Sequence, residues 1–369
     1  MTKAAELAKM GEVLTNSQIG GRRNMIINGS QMIAQRGTGA VTSNVSYPVD
    51  RWQITNSSGA SISVQQNSDV PSGEGFAFCT KYTVTTADSG VTGTEDALFR
   101  QHIEGQDITQ LAWGTSSAKT VTLSFYVKSS LTGTFGGALK NSDNSRAYPF
   151  TYTISSANTW EHKTITIVGE TSGTWLSTNG IGVRVVFSMG SGSDRLGTAG
   201  AWNSNNNDGA TGQTQVVETL NATWQITGVQ FEVGKSTPFE HRSFGEELAL
   251  CQRYFQVHNE TSDSNALYTF AMMRWSTNTG FFSWTLKQDM RAEPTATILD
   301  NDGTSPTGNA GVVSGNNNTD DVTAGNFTLK QAHDGVATFT VGLDFNPSGA
   351  YAHALYFADT KKLEFDAEL

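Results

Sequence analysis

Charge is scarce in this sequence. Only 16% of its 369 residues are charged, against about 25% in ordinary soluble domains. Apolar residues make up 37%, and adding the 38 Gly brings them into the ~45–50% usual on that count. Disordered chains are charge-rich and poor in aromatics. Here 8 Trp, 9 Tyr and 19 Phe supply a core. Cysteine is nearly absent. Cys79 and Cys251 are too few for a disulfide scaffold and are expected as buried free thiols. No apolar run approaches the ~18–20 residues of a membrane span, so no membrane insertion is expected. Residues Met1–Glu6 carry no signal-peptide apolar region, and we expect synthesis in a cytoplasm without export by the standard route.

Several chemistries are missing too. There is no phosphate-binding Gly-x-x-x-x-Gly-Lys-Ser/Thr loop and no Gly-x-Ser-x-Gly nucleophile elbow. The six histidines are scattered without metal-ligand spacing. No cofactor, metal or catalytic residue is expected. Paired acids for glycoside cleavage are set by fold rather than spacing. Glu95, Asp96, Glu104, Asp107, Asp320 and Asp321 are the candidates, and they read best as exposed turn acids. The formal charge of −10 argues against nucleic acid as a partner.

What remains is Gly, Thr, Ser and Asn around short β-prone runs. The length suggests two or three domains. From Arg22 to about Arg242, runs such as Ser61–Gln65, Phe78–Thr85, Thr120–Val127, Lys163–Val168 and Gly182–Phe187 are separated by Gly- and Ser-rich turns. In Val121–Val127 the odd positions are apolar, which predicts one buried face. Many short strands at near-regular spacing argue for an all-β jelly roll or β-sandwich. A second β-rich region runs from about 261 to 369. Phe282 and Trp284 alternate there onto one face and read as core.

Three other features stand out. Leu7, Met10 and Leu14 give residues 3–14 a short a/d pattern. A helix of that length is marginal alone and is expected to pack on its own chain, on copies of itself or on a larger assembly. Ser243–Glu246 is a capping box, with Phe244, Leu248, Cys251 and Phe255 following as one apolar helical stripe. The loop 190–213 is almost wholly Gly, Ser, Asn and Asp, yet contains Arg195 and Trp202. A polar loop this long is functional or disordered. Trp202 could fold back as the loop's own small core, face a ligand, or make a subunit contact. The charge is uneven. Residues 244–369 hold 7 basic and 16 acidic residues, whereas residues 1–243 hold 17 and 18. We expect four parts: residues 1–20 for attachment or trimerisation, a jelly roll over 21–243, a connecting helix over 244–260, and an acidic β-sandwich over 261–369.

The stretches Gly21–Gly29, Gln35–Gly37 and Asp50–Trp52, with Ile226–Gly234, Thr237–Ser243 and Leu248–Phe255, resemble a family of structural proteins from tailed, notably marine and cyanobacterial, bacteriophages. These are known as tail fibre or tail-tip proteins. The closing Phe365–Leu369 is similar as well. The resemblance spans nearly all of the chain, with its specific motifs in residues 5–52 and 226–256. It implies a virion location, a homotrimer, contact with other tail proteins through the N-terminal region, and attachment to a host-surface glycan or outer-membrane receptor. Two rival readings are a structural connector or decoration protein without receptor contact, and a surface-glycan depolymerase. The first module also looks like a carbohydrate-binding-module jelly roll. Many of these hold a structural calcium between their end strands, which would draw on Asn28 and Glu232. The alternative is that Glu232 pairs with Arg51 or Arg36. Flat aromatics stack on sugars while Asn, Asp and Arg bond hydroxyls. Arg195, Trp202, Trp275 and Tyr351 are the ligand-binding candidates on that basis.

Overall fold

The structure, a computed structural model, describes residues 22–259, 269–276, 279–300, 311–315, 318–322, 327–333, 336–342, 353–357 and 361–369. The chain divides into two compact units, residues 1–247 with 369, and residues 248–368. The expected connector 244–260 is therefore not a separate part. The division falls inside a helix, and residues 255–259 form a strand of the second unit.

The first unit is built from β1 (Val45–Val49), β2 (Trp52–Asn56), β3 (Ser61–Asn67), β4 (Cys79–Thr86), β5 (Asp96–Glu104), the one-turn helix α1 (Gly105–Ile108), β6 (Val121–Ser129), β7 (Gly133–Lys140), β8 (Ala147–Ile154), β9 (Glu161–Ile167), β10 (Ile181–Ser191), the short pair β11 (Leu196–Gly197) and β12 (Gly209–Ala210), and β13 (Thr223–Val233). A six-stranded sheet has the order β1-β2-β5-β10-β7-β8, and a five-stranded sheet the order β3-β4-β13-β6-β9. Neighbours in both are antiparallel.

The inner faces of the two sheets share one core. Val121, Leu123, Phe125 and Val127 are all fully buried, as their alternation predicts. Phe125 of β6 meets Phe187 of β10 with ring centroids 5.0 Å apart, and Phe99 of β5 meets Trp224 of β13 at 5.7 Å. Trp52 stacks flat on Phe99 at 4.8 Å. The indole N–H of Trp224 donates to the Tyr152 hydroxyl across the core at 3.0 Å, which satisfies the polar tip of a buried aromatic.

The motifs that carry the family resemblance interlock at one end of this sandwich. The Met25 amide donates to the Phe231 carbonyl (2.9 Å), and the Val229 amide to that of Gly29 (3.0 Å). Asn24 bonds both Val229 and Phe231 through its side chain. Glu240 accepts from the Arg23 and Asn24 amides, while Arg242 reaches the Asn24 and Ile26 carbonyls. A Cβ on Gly29 would lie 2.2 Å from the Val229 carbonyl oxygen, so only glycine permits this approach.

The two residues considered for calcium are committed elsewhere. Asn28 bonds the main chain of Ile33 and Asp50. Glu232 accepts from Gln230 and from the Thr237 amide and hydroxyl. The expected Glu232–arginine pair is likewise replaced by this turn-closing role. Among the described residues no group of three His, Cys, Asp or Glu could hold a metal, and no helix is long and apolar enough to cross a membrane. Both cysteines are buried, and neither is in a disulfide.

Helix α2 (Phe244–Gln252) straddles the two units. Its capping box forms as expected. The Ser243 amide donates to Glu246 at 2.9 Å, and the Glu246 amide to the Ser243 hydroxyl at 3.3 Å. The expected four-residue stripe does not. Phe244 is 61% exposed, because Glu247 is the first-turn residue turned inward, 4% exposed and bonded to the Asn28 amide and Arg242. The helix then stops at Gln252, so Cys251 is buried on it but Phe255 is buried on the following strand.

The second unit contains β14 (Phe255–Asn259), β15 (Thr269–Ser276), β16 (Thr279–Thr285), β17 (Thr295–Asp300), β18 (Gly311–Gly315), β19 (Asn318–Val322), β20 (Phe327–His333), β21 (Val336–Gly342), β22 (His353–Phe357) and β23 (Lys361–Asp366). They form a three-stranded sheet β14-β23-β17 and a seven-stranded sheet β19-β18-β22-β15-β16-β21-β20. Phe282 and Trp284 are 2% and 7% exposed, on the shared core face expected of them. Phe282 stacks on Phe339 at 4.9 Å, and Phe339 contacts Phe365 of the other sheet at 5.9 Å.

Candidate functional site

On the six-stranded sheet, every second residue of β5 and β10 points away from the core. On β5 these are Asp96, Leu98, Arg100 and His102. On β10 the outward Arg184 lies directly across from His102 and, on its other side, from Lys140 of β7. A central strand with bare guanidiniums on one face would ordinarily sit in water. Here that face is partly roofed by the long loop.

Backbone bonds tie the loop 190–213 to the sandwich. Ala147 and Asn203 exchange both main-chain bonds at 3.0 and 2.9 Å, Gly200 donates to Pro149, and Thr214 to Thr134. The pair β11-β12 runs parallel within it. Small residues on the sheet make room. A Cβ on Gly136 would lie 2.0 Å from the Gln213 amide oxygen and 3.0 Å from the Ala210 nitrogen. Gln213 itself donates to the Ser188 hydroxyl at 2.6 Å.

Trp202 anchors the loop. It packs edge-on against Trp113 (5.3 Å), Trp175 (5.6 Å) and Tyr148 (5.3 Å), and its N–H donates to the Val168 carbonyl at 2.8 Å. Its contacts thus lie on other elements of the sandwich, in place of a small core internal to the loop.

The loop carries Arg195, Asn206 and Asp208 to the sheet face. With Asp96, Leu98, Arg100, His102, Lys140, Asn144 and Arg184 they line a cleft of about 280 Å³. Four cations face two carboxylates. Lys140 Nζ is 2.5 Å from Asp208 Oδ1 and 2.5 Å from Asn206 Oδ1, and Arg195 Nε is 3.8 Å from Asp208 Oδ2. Arg100 donates from Nε and Nη2 to the single Gln53 amide oxygen at 2.9 and 2.7 Å. Arg184 donates to the Asn141 carbonyl at 3.1 Å and to the Asn144 side chain.

The electrostatics follow from partial burial of like charges. Desolvation lowers the pKa values of Lys140, Arg100 and Arg184, and Arg100 adds to the effect on Arg184. Burial, and then the Asp208 charge, raises that of Asp96. Burial and the nearby Arg100 hold His102 well below the usual histidine value, so its ring is neutral. His102 Nδ1 lies 2.7 Å from a main-chain oxygen of Leu369. That oxygen accepts, so Nδ1 carries the proton and Nε2 presents a lone pair. Nε2 is buried without a hydrogen-bond partner among the described residues.

Of the ligand-binding candidates, Arg195 enters this cleft and Trp202 does not. Trp275 lies on β15, with its side chain outside the described residues, and Tyr351 lies outside them altogether, as do Leu7, Met10 and Leu14. Glu104 and Asp96 are strand residues, not turn acids, and Glu104 is 2% exposed. Asp107 pairs with Arg22 at 2.8 Å. Arg100, Lys140 and Arg184 went unnoticed in the sequence. Their one signal is a cation at an outward position inside an apolar strand, as in Val183-Arg184-Val185.

No protein-family model matches the chain, and no curated protein matches it. Among solved structures it is similar to the enzymatically active domain of tailspike protein 4 of bacteriophage CBA120, at 14% identity and a TM-score of 0.31, over 57% of this chain and 21% of that one. It is similar to a CBM4 structure at 19% identity and a TM-score of 0.31, over 56% and 98% of the two chains. It is also similar to the family 11 carbohydrate-binding module of a Clostridium thermocellum cellulosomal cellulase, at 18% identity and a TM-score of 0.25, over 56% and 99%.

Proposed function

We propose that this chain is a bacteriophage tail-fibre or tail-tip protein that attaches the virion to a glycan on the host surface, with the cleft on the six-stranded sheet as the sugar site. The cleft carries the reading. Guanidinium, carboxamide, carboxylate and imidazole groups converge on one volume of about 280 Å³, and most are mounted on strands rather than on free loops. Preset polar groups bond sugar hydroxyls without first being ordered. The resemblance of residues 5–52 and 226–256 to tail-fibre proteins supports the virion setting and a homotrimer. Residues 1–20 would join the copies or the tail. Three weak sites on one fibre then act together. This reading puts the receptor contact in the first unit, with Arg195 of the ligand-binding candidates, rather than at Trp275 or Tyr351.

The test is adsorption. Purified full chain, added before virions, should block their attachment to host cells, and enzymatic removal of the surface polysaccharide should abolish binding of the chain. Unchanged adsorption with saturating protein rejects the attachment role. A virion-free protein that sediments as a monomer rejects the trimer.

One observation favours a second reading, a surface-glycan depolymerase. Asp96 and Asp208 line the same cleft, and the Asp96 carboxyl is raised by burial and by the Asp208 charge, as a general acid requires. Release of new reducing ends from host polysaccharide, lost in Asp96→Asn, would establish it. Their absence leaves the binding role.

A further inference from the structure

We infer that the cleft selects an acidic sugar, one bearing a carboxylate or a sulfate, and that Arg100 and Arg184 hold its anionic group. This rests on the reading of the cleft as a glycan site.

The argument is an accounting of charges. Of the four cations, Lys140 and Arg195 are matched by Asp208 at 2.5 and 3.8 Å. Arg100 and Arg184 have no carboxylate within ion-pair distance among the described residues. Their hydrogen bonds go only to neutral oxygens, those of Gln53 for Arg100 and of Asn141 and Asn144 for Arg184. Both are partly buried. Withdrawing a guanidinium from water is costly unless an anion compensates. Arg184 pairs across the ladder with His102, and Arg100 is two residues from His102 on the same strand, so the two are diagonal neighbours on one face. Two forks set this way suit the oxygens of one carboxylate or sulfate.

The second observation is His102. It is 7% exposed and lines the cleft, and its Nε2 is a buried acceptor without a donor among the described residues. A small turn of the ring toward the cleft brings Nε2 to a ligand hydroxyl. An acidic sugar then supplies both missing halves, an anion for the arginines and a hydroxyl proton for Nε2. A sulfate ion supplies only the first, and a neutral sugar only the second.

The experiment uses full-length protein and calorimetric titration with four probes. They are a tetrauronide, its carboxyl-reduced neutral counterpart, a sulfated tetrasaccharide, and poly-glutamate of similar charge. We expect both acidic sugars, or one of them, to bind at least tenfold more tightly than the neutral counterpart and than poly-glutamate. Whichever acidic sugar binds identifies the group. Arg184→Gln and Arg100→Gln should each weaken that binding tenfold or more, and by a clearly larger factor than either weakens binding of the neutral sugar. Equal binding of acidic and neutral sugars would overturn the selectivity and keep the glycan site. Equal binding of poly-glutamate would show charge attraction alone and overturn it too. Binding to none of the sugars would overturn the site itself. Thermal melts of both variants separate lost binding from lost folding. Should they melt early, Arg184→Lys and Arg100→Lys keep the charge and lose the fork, and unchanged sugar affinity in both overturns the proposal.

Discussion

Lys140 Nζ on the outer face of β7 lies 2.5 Å from Asp208 Oδ1 on the loop, and the two side chains are 5% and 4% exposed. This buried pair fastens the loop that roofs the cleft. Removing Lys140 leaves the buried Asp208 only its longer contact to Arg195, and breaking a buried pair typically costs about 3–5 kcal/mol. Lys140→Met should therefore lower the stability of the first unit by about 3 kcal/mol. The double variant Lys140→Met with Asp208→Leu should recover most of that loss. Urea denaturation of the four proteins forms the cycle. Additive losses would show that the two groups do not act as a pair.

The contact between Gly29 and Val229 gives a steric test of the interlocked motifs. Gly29→Ala places a methyl carbon 2.2 Å from a main-chain oxygen, and β13 must shift to admit it. We expect a loss of about 2 kcal/mol or more. At Gly39 an added Cβ meets nothing within 4 Å. Gly39→Ala should be neutral or gain up to about 1 kcal/mol, by restricting the unfolded chain. Equal melting temperatures for the two variants would contradict the packing described.

The pH dependence of sugar binding follows from Asp96. Its neighbours are Arg100 on its own strand, Lys140 of β7, and Asp208 and Arg195 of the loop. Because its pKa is raised, falling pH neutralises it before an ordinary aspartate, and the cleft then gains net positive charge. A sulfated sugar keeps its own charge throughout. Its affinity should rise as pH is lowered through the Asp96 titration, and Asp96→Asn should remove the rise while binding tightly at neutral pH. A wild-type affinity that stays flat or falls would contradict the charge accounting.

In the second unit, Trp284 Nε1 donates to His258 Nδ1 at 3.1 Å. Burial, and then the Lys287 charge, depress the His258 pKa to about 4. Protonating Nδ1 would break this bond. The unfolded histidine titrates near the ordinary value of about 6.5, so the unfolded state takes up the proton first as pH falls. Stability is full above that value, declines between it and about 4, and then levels. The loss is at most about 3 kcal/mol from this group. His258→Gln should flatten the slope of unfolding free energy over that window. An unaltered slope would show that His258 is not the group responsible.

Parts of this were legible in the sequence. The alternation Val121–Val127 and the Ser243–Glu246 capping box report local physics, and both elements form where the pattern puts them. The Phe244–Phe255 stripe failed because periodicity cannot see Glu247 buried against Asn28, a partner 219 residues away. The cleft was least legible. Arg100 and Arg184 look like ordinary solvent-facing strand residues until β5 and β10 are paired and the loop 190–213 is laid over them. Trp202, the feature of that loop which drew attention, marks where the loop is anchored. Arg195, seven residues before it, reaches the site.

The central claim is that sugar binds in the first unit at the cleft on the six-stranded sheet. The most direct measurement is titration of purified host-surface polysaccharide against full-length wild type, Arg184→Gln and Trp275→Ala. The expected result is binding by wild type and Trp275→Ala, and at least tenfold weaker binding by a folded Arg184→Gln. Binding lost in Trp275→Ala and kept in Arg184→Gln would place the contact in the C-terminal unit and contradict the account.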